Sequence, residues 1–300
     1  MKTYMKEKID TFRQEHKNRA RLLINCPDQP GIVAAVSQFL YEHNANIIES
    51  NQYSTDPDRG EFFMRIEFEI PELKSQIKNL EEEFQAIRKQ FDMEATFKYV
   101  DQLKKVAIFV SKEPPHCLLE LLWEWQSGDM IADIGLVISN HETSREIVES
   151  LGIPYYYIPA NKDIREQVEQ KQIELLREYN VDLIILARYM QILTPHFVGT
   201  FKNQIINIHH SFLPAFIGAK PYERAYNRGV KLIGATSHYV TNDLDEGPII
   251  EQDISRVDHR DNAEAMKKIG QSVERSVLAR AVKWHLDDRI IVYGNKTIVF

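Results

Sequence analysis

The chain of 300 residues carries 37 lysines and arginines against 44 aspartates and glutamates, which gives a formal net charge of −7. This acidic balance argues against a sequence-independent nucleic-acid binder, because such a protein needs a basic face. The hydrophobic content of 43% is enough for two well-buried domains.

The sequence also bears on the cellular compartment of the protein and on the redox state of its cysteines. The opening residues MKTYMKEKIDTFRQEHKNR have no apolar core of signal-peptide length, and no later run approaches the length of a membrane span. The two cysteines, Cys26 and Cys117, fall in different predicted domains, so we expect no structural disulfide. We therefore expect a cytoplasmic protein that binds neither membrane nor nucleic acid.

The first domain, predicted over residues 1–102, has the strand and helix order βαββαβ. A polar start precedes residues with alternating or helical spacing of apolar side chains. The predicted elements are a strand over 21–25, a helix over 32–42, strands over 46–55 and 61–69 joined by a turn over 56–60, a helix over 73–91 and a strand over 94–100. This order predicts a ferredoxin-like fold.

A turn between the first strand and the first helix reads Asp28-Gln29-Pro30-Gly31. It resembles the junction of ACT domains, small modules that sense amino acids. The resemblance implies a small amino-acid effector held at Asp28, Pro30, Gly31 and Ile32, where a glycine lets the backbone approach and the helix amino terminus favours a carboxylate. The turn is also explained by good turn chemistry alone, and such modules often serve only as dimerisation surfaces. We expect a homo-oligomer, either a dimer or a tetramer.

The second domain, predicted over residues 103–300, alternates apolar strands with helices. The predicted strands cover 106–110, 134–138, 153–158 and 183–186, and the helices between them cover 117–126, 144–151 and 164–179. Such alternation predicts a mostly parallel, Rossmann-like sheet with both faces covered, whose sites form beyond the carboxyl ends of the strands. A helix over 262–286 and a hairpin through 294–295 complete the expected fold, which is of the α/β class.

One stretch of this domain, residues 205–253, carries chemistry. Asn207 and His209 lie on the same face of a predicted strand, while His210 points to the opposite face. A second apolar segment over 232–240 leads into a turn-rich loop with Asp243, Asp245 and Glu246. An amide, an imidazole and a carboxylate that meet at the end of a sheet can polarise a carbonyl, stabilise an oxyanion and move a proton.

The pattern Asn-x-His-x-Ser-x-Leu-Pro over 207–214, followed by Asp-x-Gly over 245–247, resembles the folate-dependent formyltransferase and hydrolase family. The resemblance implies that Asn207, His209 and Asp245 are catalytic. We expect Asn207 and His209 to donate to the oxyanion, and Asp245 to act as general base for water or to orient His209. The like charges of Asp243 and Glu246 would raise the pKa of Asp245 if they lie close to it. The alternative is that these three are turn and capping residues.

Residues 183–198, LIILARYMQILTPHFV, resemble the family's folate-binding loop. Met190, Ile192 and Leu193 would then line the pterin slot, and the backbone around Gln191 and Leu193 would hydrogen-bond the ring. Many relatives have a basic residue in place of Gln191. The facing side of the slot would be closed by Thr241, Asn242 and Asp243. A hydrophobic helix start packed into the core would explain Met190 and Leu193 equally well.

Water is the acceptor that the stretch after the first strand of this domain favours. Transferases acting on glycinamide ribonucleotide carry a glycine-rich phosphate cradle there, whereas this chain reads VSKEPPHCLLELL over 110–122. Pro114 and Pro115 lack amide hydrogens and Glu113 repels phosphate. With an ACT-like domain placed first, the resemblance implies hydrolysis of 10-formyltetrahydrofolate to tetrahydrofolate and formate, which supplies formate and balances one-carbon pools for purine biosynthesis.

Two other functions stay open, namely formyl transfer to an amine and a catalytically lapsed amino-acid sensor. A zinc site built from His209, His210, His238 and Asp245 is a further reading. Adjacent histidines on a strand point to opposite faces and share one metal with difficulty, and His238 is expected to be a supporting histidine. We therefore expect no metal and no organic cofactor.

Overall fold

The computed structural model describes residues 2–56, 60–111, 114–160, 164–215 and 221–300. Of the predicted features, Glu113 and positions 57–59 of the first turn lie outside these residues. The chain divides into two compact units. The first comprises Lys6–Leu103 with Asp287–Ile291 and Ile298–Phe300, and the second comprises Lys104–Leu286 with Val292–Thr297 and the stretch through Met5. Parts of the carboxyl terminus thus cluster with the first unit, although the sequence assigned 103–300 to one domain.

The first unit contains a four-stranded antiparallel sheet with helices. The chain begins with the helix α1 (Lys2–Glu15), of which the residues from Lys6 onward belong to this unit. The elements that follow are β1 (Arg19–Pro27), α2 (Ile32–Glu42), β2 (Asn46–Ser54), β3 (Glu61–Glu69), α3 (Leu73–Glu83), α4 (Gln85–Phe91) and β4 (Glu94–Tyr99). The strand order is β2-β3-β1-β4, and every neighbouring pair is antiparallel. This is the predicted ferredoxin-like arrangement.

The core of this unit follows from the period of its strands. Leu22 and Ile24 of β1 and Ile66 and Phe68 of β3 alternate inward and are buried with Phe84. The single helix predicted over 73–91 is two helices separated by Phe84. The fully buried Phe84 ring packs with its centroid 5.0 Å from Phe39 and 5.4 Å from Phe97.

The second unit contains a seven-stranded sheet. Its elements are β5 (Lys105–Val110), α5 (His116–Ser127), β6 (Asp133–Ser139), α6 (Arg145–Ser150), β7 (Tyr155–Tyr157), α7 (Arg165–Glu178), β8 (Leu183–Ala187), α8 (Pro195–Thr200), β9 (Ile205–His209), α9 (Pro221–Arg228), β10 (Leu232–Tyr239), β11 (Ile249–Arg256) and α10 (Ala263–Leu286). The strand order is β11-β10-β9-β8-β5-β6-β7. The predicted α/β class and mostly parallel sheet are confirmed.

Five of these strands, from β9 across to β7, are parallel, and β10 and β11 break the pattern. β10 runs antiparallel to both β9 and β11. Its register places Thr236 beside His209 and Tyr239 beside Ile206. The loop that follows β10 therefore starts beside the amino end of β9, and not at the same sheet edge as the carboxyl end of β9, as the sequence suggested. That loop must run back along β9 to reach His209.

The carboxyl-terminal elements agree with the sequence. Asn262 caps α10, because its side-chain oxygen accepts a hydrogen bond from the amide of Ala265 at 2.9 Å. The strands β12 (Ile290–Tyr293) and β13 (Lys296–Val299) form the expected hairpin, with Gly294 at a φ of 55°. Cys26 and Cys117 are buried as free thiols. Among the described residues, each helix is too short or too polar to cross a membrane.

Candidate active site

The end of β9 presents the first two site residues. Strand alternation places Asn207 and His209 on one face, with the buried side chains of Ile206 and Ile208 on the other. His209 is 6% exposed and Asn207 is half-buried. The same-face prediction for this amide and this imidazole is therefore consistent with the strand that the structure shows.

Asp245 lies against His209. The Nδ1–H of His209 donates to Oδ2 of Asp245 at 3.2 Å, and His238 Nε2 lies 3.8 Å from Oδ1 of the same carboxylate. Burial raises the pKa of Asp245, but the hydrogen bond from His209 and the neighbouring histidines outweigh it, so the pKa is lowered. The expectation that Asp243 and Glu246 raise this pKa is wrong, because the histidines dominate the surroundings of the carboxylate. Asp245 is therefore ionised at neutral pH.

The backbone of the loop over 240–248 is bent to bring Asp245 inward. Asp245 has a φ of 59°, a left-handed conformation that non-glycine residues adopt rarely and that is often found at functional sites. Two residues later, a Cβ on Gly247 would lie 1.8 Å from the carbonyl oxygen of Tyr239. The amide of Tyr239 also donates to the carbonyl of Pro248 at 2.9 Å. The Asp-x-Gly motif is thus a carboxylate followed by the one residue type that lets the loop fold back.

His238, expected from the sequence to be a supporting histidine, connects Asn207 to the carboxylate. It pairs directly across from Asn207 in the β9–β10 ladder. Asn207 Nδ2 donates to His238 Nε2 at 3.2 Å, and His238 Nδ1 donates to the carbonyl of Tyr239 at 2.9 Å. Burial lowers the pKa of His238, so the ring is neutral and can accept from the amide. This role follows from the antiparallel register of β10, which places His238 opposite Asn207.

The Nε2 atom of His209 is buried and has no hydrogen-bond partner among the residues that the structure describes. Buried polar atoms are normally paired, so an orphan in a site calls for an explanation. Since Nδ1 of the same ring is bonded to Asp245, a neutral His209 presents an unshared pair at Nε2. This atom is available to a water molecule or to a substrate.

The rings of His209 and His210 stack, with centroids 5.2 Å apart and planes at 22°. The expectation that they point to opposite faces is wrong, because β9 ends at His209 and the alternation stops there. Burial and the charge of Arg188 lower the pKa of His210 to about 4. His210 is therefore a neutral ring packed against His209.

The loop over 188–194 carries the predicted pterin contacts. Met190 and Ile192 are 59% and 55% exposed, whereas Leu193 packs partly into the core of the second unit. A hydrophobic helix start packed in the core therefore accounts for Leu193 but not for Met190. The loop is held by the amide of Met190, which donates to Ser111 Oγ at 3.0 Å, and by Thr194, whose amide donates to Glu169 at 2.9 Å. Gln191 lies half-exposed between them.

The loop over 240–248, which the sequence predicts on the other side of the pterin, is more polar. The hydroxyl of Thr241 donates to the carbonyl of Asp243 at 3.2 Å, and the side chains of Asn242 and Asp243 are exposed. Leu244, which the sequence analysis did not single out, is 56% exposed beside Asp245. This loop thus adds an apolar side chain to the predicted polar set.

The predicted effector residues lie in the first unit. Gly31 has a φ of 99° at the start of α2, without a side-chain cap, and the Ser54 hydroxyl donates to Asp28 at 2.5 Å. Pro30 is exposed, whereas Ile32 is only 2% exposed within the core. Ile32 can therefore offer a ligand its backbone but not its side chain.

One group of side chains has metal-ligand chemistry. The ligand atoms of His116, Cys117 and Glu274 lie within 4.8 Å of one another. However, the guanidinium of Arg188 donates to Glu274 Oε2 at 2.9 Å and repels a cation at that place. Burial raises the pKa of the Cys117 thiol well above its ordinary value, so it is not the thiolate that metals prefer. The group fits a hydrogen-bonded network better than a metal centre.

Comparison with known proteins agrees with this geometry. The sequence profile of the formyl transferase family matches residues 104–282, and that of the ACT domain matches residues 20–85. The chain is 66% identical to a formyltetrahydrofolate deformylase of Bacillus subtilis (strain 168), with 100% of both chains covered.

Solved structures show the same likeness. A crystal structure of a formyltetrahydrofolate deformylase from Pseudomonas syringae pv. tomato superposes with a TM-score of 0.90 at 45% identity, covering 97% of this chain and 99% of the other. A glycinamide ribonucleotide transformylase from Symbiobacterium toebii gives a TM-score of 0.62 at 27% identity, covering 68% of this chain and 96% of the other. The transformylase therefore matches a part of the chain, and the deformylase matches nearly all of it.

Proposed function

Since the chain belongs to the formyltetrahydrofolate deformylase family, we propose that it hydrolyses 10-formyltetrahydrofolate to tetrahydrofolate and formate. The observation that carries this proposal is the arrangement of His209. Its Nδ1 is bonded to an ionised Asp245, and its Nε2 is buried without a partner among the described residues. An imidazole held in this way takes a proton from water and returns it later.

The first step is attack by water. The water oxygen bonds to the formyl carbon while His209 Nε2 takes one of its protons, which leaves a tetrahedral oxyanion. Asp245 fixes the tautomer of the ring and stabilises the imidazolium that forms. Because its pKa is lowered, Asp245 suits this orienting role better than direct removal of a proton from water, the other role expected for it.

Asn207 stabilises the oxyanion. One N–H of its amide is held by His238 Nε2 at 3.2 Å, which orients the group and leaves the second N–H to donate to the formyl oxygen. A preorganised donor of this kind typically contributes about a hundred- to a thousandfold in rate. Since Asn207 and His209 lie on one face of β9, the amide can donate to the formyl oxygen while the imidazole takes the proton of the attacking water. The donor role expected for both residues is therefore given to Asn207 alone in this proposal.

Collapse of the intermediate completes the reaction. The bond between the formyl carbon and N10 breaks, the electron pair goes to N10, and imidazolium His209 returns its proton there. Formic acid then loses its own proton to solvent. These steps need only water and groups of this chain, so we propose that neither a metal nor an organic cofactor takes part.

The folate lies between two loops in this proposal. The exposed side chains of Met190 and Ile192 supply apolar surface on one side, and the loop of Thr241, Asn242 and Asp243 supplies the other. The backbone around Gln191 and Leu193 is available to hydrogen-bond the pterin ring. Anchoring of the 188–194 loop by Ser111 and Glu169 keeps that backbone in place before substrate binds.

Water is proposed as the acceptor because the described residues at the start of α5 offer no counterpart of the phosphate cradle of the transferases. Pro115 precedes that helix and lacks an amide hydrogen, and His116, its first residue, is turned inward on Glu274 at 2.8 Å. An anionic acceptor would thus find no N–H on the residue that precedes this helix, and an imidazole that already binds a carboxylate.

Formate release tests the proposal directly. The purified chain is incubated with 10-formyltetrahydrofolate, alone and with glycinamide ribonucleotide or other candidate amines. We expect one formate per tetrahydrofolate without an amine, and no acceleration by amines. Amine-dependent turnover would show a transferase, and inertness under all conditions would show a binding protein.

We also propose that the ACT domain binds a small amino acid and that the enzyme is a cytoplasmic homo-oligomer. Gly31, in a left-handed conformation at an uncapped helix start, supports a site for a carboxylate near Asp28 and Pro30. The two buried free thiols suit a reducing compartment. Size measurement with and without added amino acids tests the effector and the assembly together.

A further inference from the structure

Glu274 is a fully buried carboxylate in the middle of α10, outside the set of Asn207, His209 and Asp245. Its Oε1 accepts from the hydroxyl of Tyr222 at 2.7 Å, and its Oε2 accepts from His116 at 2.8 Å and from Arg188 at 2.9 Å. Burial alone would raise the pKa of Glu274. The three partners lower it by more than burial raises it, so the pKa lies below its ordinary value and the group is ionised. A buried charge is costly to maintain, and the three hydrogen bonds to this carboxylate offset that cost.

Each partner comes from a different element that borders the proposed active site. His116 begins α5, which follows the carboxyl end of β5. Arg188 stands two residues before Met190 at the start of the 188–194 loop, in a left-handed conformation with a φ of 63°. Tyr222 lies in the first turn of α9. One carboxylate therefore joins three segments at the edge of the sheet.

Tyr222 connects this network to the ring of His209 through His210. Its ring centroid lies 6.2 Å from that of His210, and His210 stacks at 5.2 Å on His209. On another side, Tyr222 and His210 line an apolar cavity of about 250 Å³, so packing there does not fix either ring. The Tyr222 ring also belongs to a buried cluster with Ala225, Ile233 and Met266, and its hydrogen bond to Glu274 fixes the hydroxyl end of the ring.

The helix is shaped to allow this contact. Gly270 lies one turn before Glu274 on the same face of α10, and a Cβ there would lie 2.0 Å from the Tyr222 hydroxyl. Glycine in a helix interior disfavours the helix relative to alanine. The space that Gly270 opens is filled by the Tyr222 ring, which explains a glycine at this position.

We propose that Glu274 is a positioning residue for the hydrolysis. Through Tyr222 it holds His210 against the ring of His209, and through Arg188 it holds the start of the 188–194 loop. Glu274 does not touch the substrate and makes no bond in the reaction. This inference rests on the proposed function.

The primary test is Tyr222→Phe in the full chain, which keeps the ring and removes only the hydroxyl. We expect kcat to fall about tenfold, since small misplacement of a reacting group can cost up to about a hundredfold in rate. The KM for 10-formyltetrahydrofolate should stay within about twofold of wild type, because Arg188 keeps its own bond to Glu274. A second variant, Glu274→Gln, weakens the bonds to Tyr222 and to Arg188 at once, so we expect it to lower kcat and to raise KM together.

Tyr155→Phe is the matched control. Tyr155 is 6% exposed and Tyr222 is 9% exposed, and the Tyr155 hydroxyl donates to the carbonyl of His141 at 2.6 Å. This control should lose a buried hydrogen bond of similar geometry in the same unit without losing turnover. If the bond between Tyr222 and Glu274 were purely structural, Tyr222→Phe would behave like this control, with a lower melting temperature and an unchanged kcat.

Two results would overturn the inference. One is a folded Tyr222→Phe with kcat within about twofold of wild type, and the other is an equal loss of kcat in Tyr155→Phe. If Tyr222→Phe does not fold, unchanged kcat and KM in Glu274→Gln overturn it as well. A wild-type protein that releases no formate contradicts the proposed function instead, so the two failures are distinguishable.

Discussion

His238 shows how a single residue gains its role from its neighbours across the sheet. It accepts from Asn207, donates to the carbonyl of Tyr239 and lies 3.8 Å from Asp245. Nothing in its own sequence position distinguishes it from a buried structural histidine. Its register opposite Asn207 makes it the group that sets the direction of the amide.

Replacing His238 should therefore weaken catalysis through Asn207. We expect His238→Ala to lower kcat by about ten- to a hundredfold, because the amide loses its acceptor and can rotate. Asn207→Ala should cost more, about a hundred- to a thousandfold, because the oxyanion donor itself is lost. Steady-state kinetics of both variants checks the order, and a greater loss in His238→Ala would contradict it.

Asp245→Asn tests the orienting carboxylate. An amide in its place cannot hold His209 with the same charge and tautomer, so we expect kcat to fall by about a thousandfold or more, in line with the loss of orienting carboxylates in hydrolytic triads. Folding should survive, as shown by an unchanged circular dichroism spectrum. Turnover equal to wild type would remove Asp245 from the mechanism.

The lowered pKa of Asp245 also predicts that the stability of the folded chain depends on pH, and the same variant tests this. The pKa of Asp245 is lowered in the folded chain, so its ionised form contributes stability that is fully present above the ordinary aspartate pKa of about 4. That contribution is lost as the pH falls through the lowered value. Urea unfolding of wild type and Asp245→Asn between pH 7 and pH 2 should show a difference that shrinks only below about pH 4. A difference that is lost already between pH 7 and pH 5 would contradict the lowered pKa.

At the scale of elements, Gly247 decides whether the loop after β10 can return to β9. We expect Gly247→Ala to lower the free energy of unfolding by about 1–3 kcal/mol, as overpacking does. The new methyl group would displace Asp245, and kcat should fall about a hundredfold although every catalytic side chain remains. Gly199→Ala is the control, because a Cβ there meets nothing within 4 Å. Equal behaviour of the two variants would contradict the account of the loop.

The elements that the sequence predicted well are those set by a local pattern. Ile32–Glu42 has a helical apolar face and Glu61–Glu69 alternates, and both agree with their predicted bounds. The direction of β10 leaves no local signal, since parallel and antiparallel strands share the same apolar spacing. No strand was predicted over Ile249–Arg256, an edge strand in which only one side chain is fully buried.

The candidate site likewise contains residues that a local sequence pattern predicts and contacts that it does not. Spacing on one strand sufficed to place Asn207 and His209 on the same face, and a loop motif sufficed to single out Asp245. The contacts of Glu274 could not be predicted, because its partners lie 52 to 158 residues away along the chain. The stacking of His210 depended on where β9 ends, which is among the least certain features of any sequence reading.

At the scale of the whole molecule, Arg65 joins distant parts of the first unit. It is 2% exposed, donates to Glu67 and Glu49, and also donates to the carbonyl of Asp288, 223 positions further along. The grouping of Asp287–Ile291 with this unit follows from such contacts. The first unit is therefore not continuous in sequence.

Arg65→Met should destabilise that unit. Breaking a buried ion pair leaves carboxylates uncompensated, and we expect a loss of about 3–5 kcal/mol in its free energy of unfolding. Arg19→Met is the control, because Arg19 bonds the same Glu67 from a more exposed position, with a side chain 26% exposed. Arg19→Met should lower the free energy of unfolding by about 1 kcal/mol or less. Urea unfolding that gives equal losses would show that burial of Arg65 does not matter.

The most direct test of the account follows the oxygen atom. The chain is mixed with 10-formyltetrahydrofolate in ¹⁸O-labelled water without any amine, and the formate of a single turnover is analysed by mass spectrometry. Attack by water at the formyl carbon predicts one ¹⁸O atom in each formate, together with one tetrahydrofolate, and a rate that collapses in Asp245→Asn. Unlabelled formate, or release that requires an amine, would contradict attack by water at the formyl carbon.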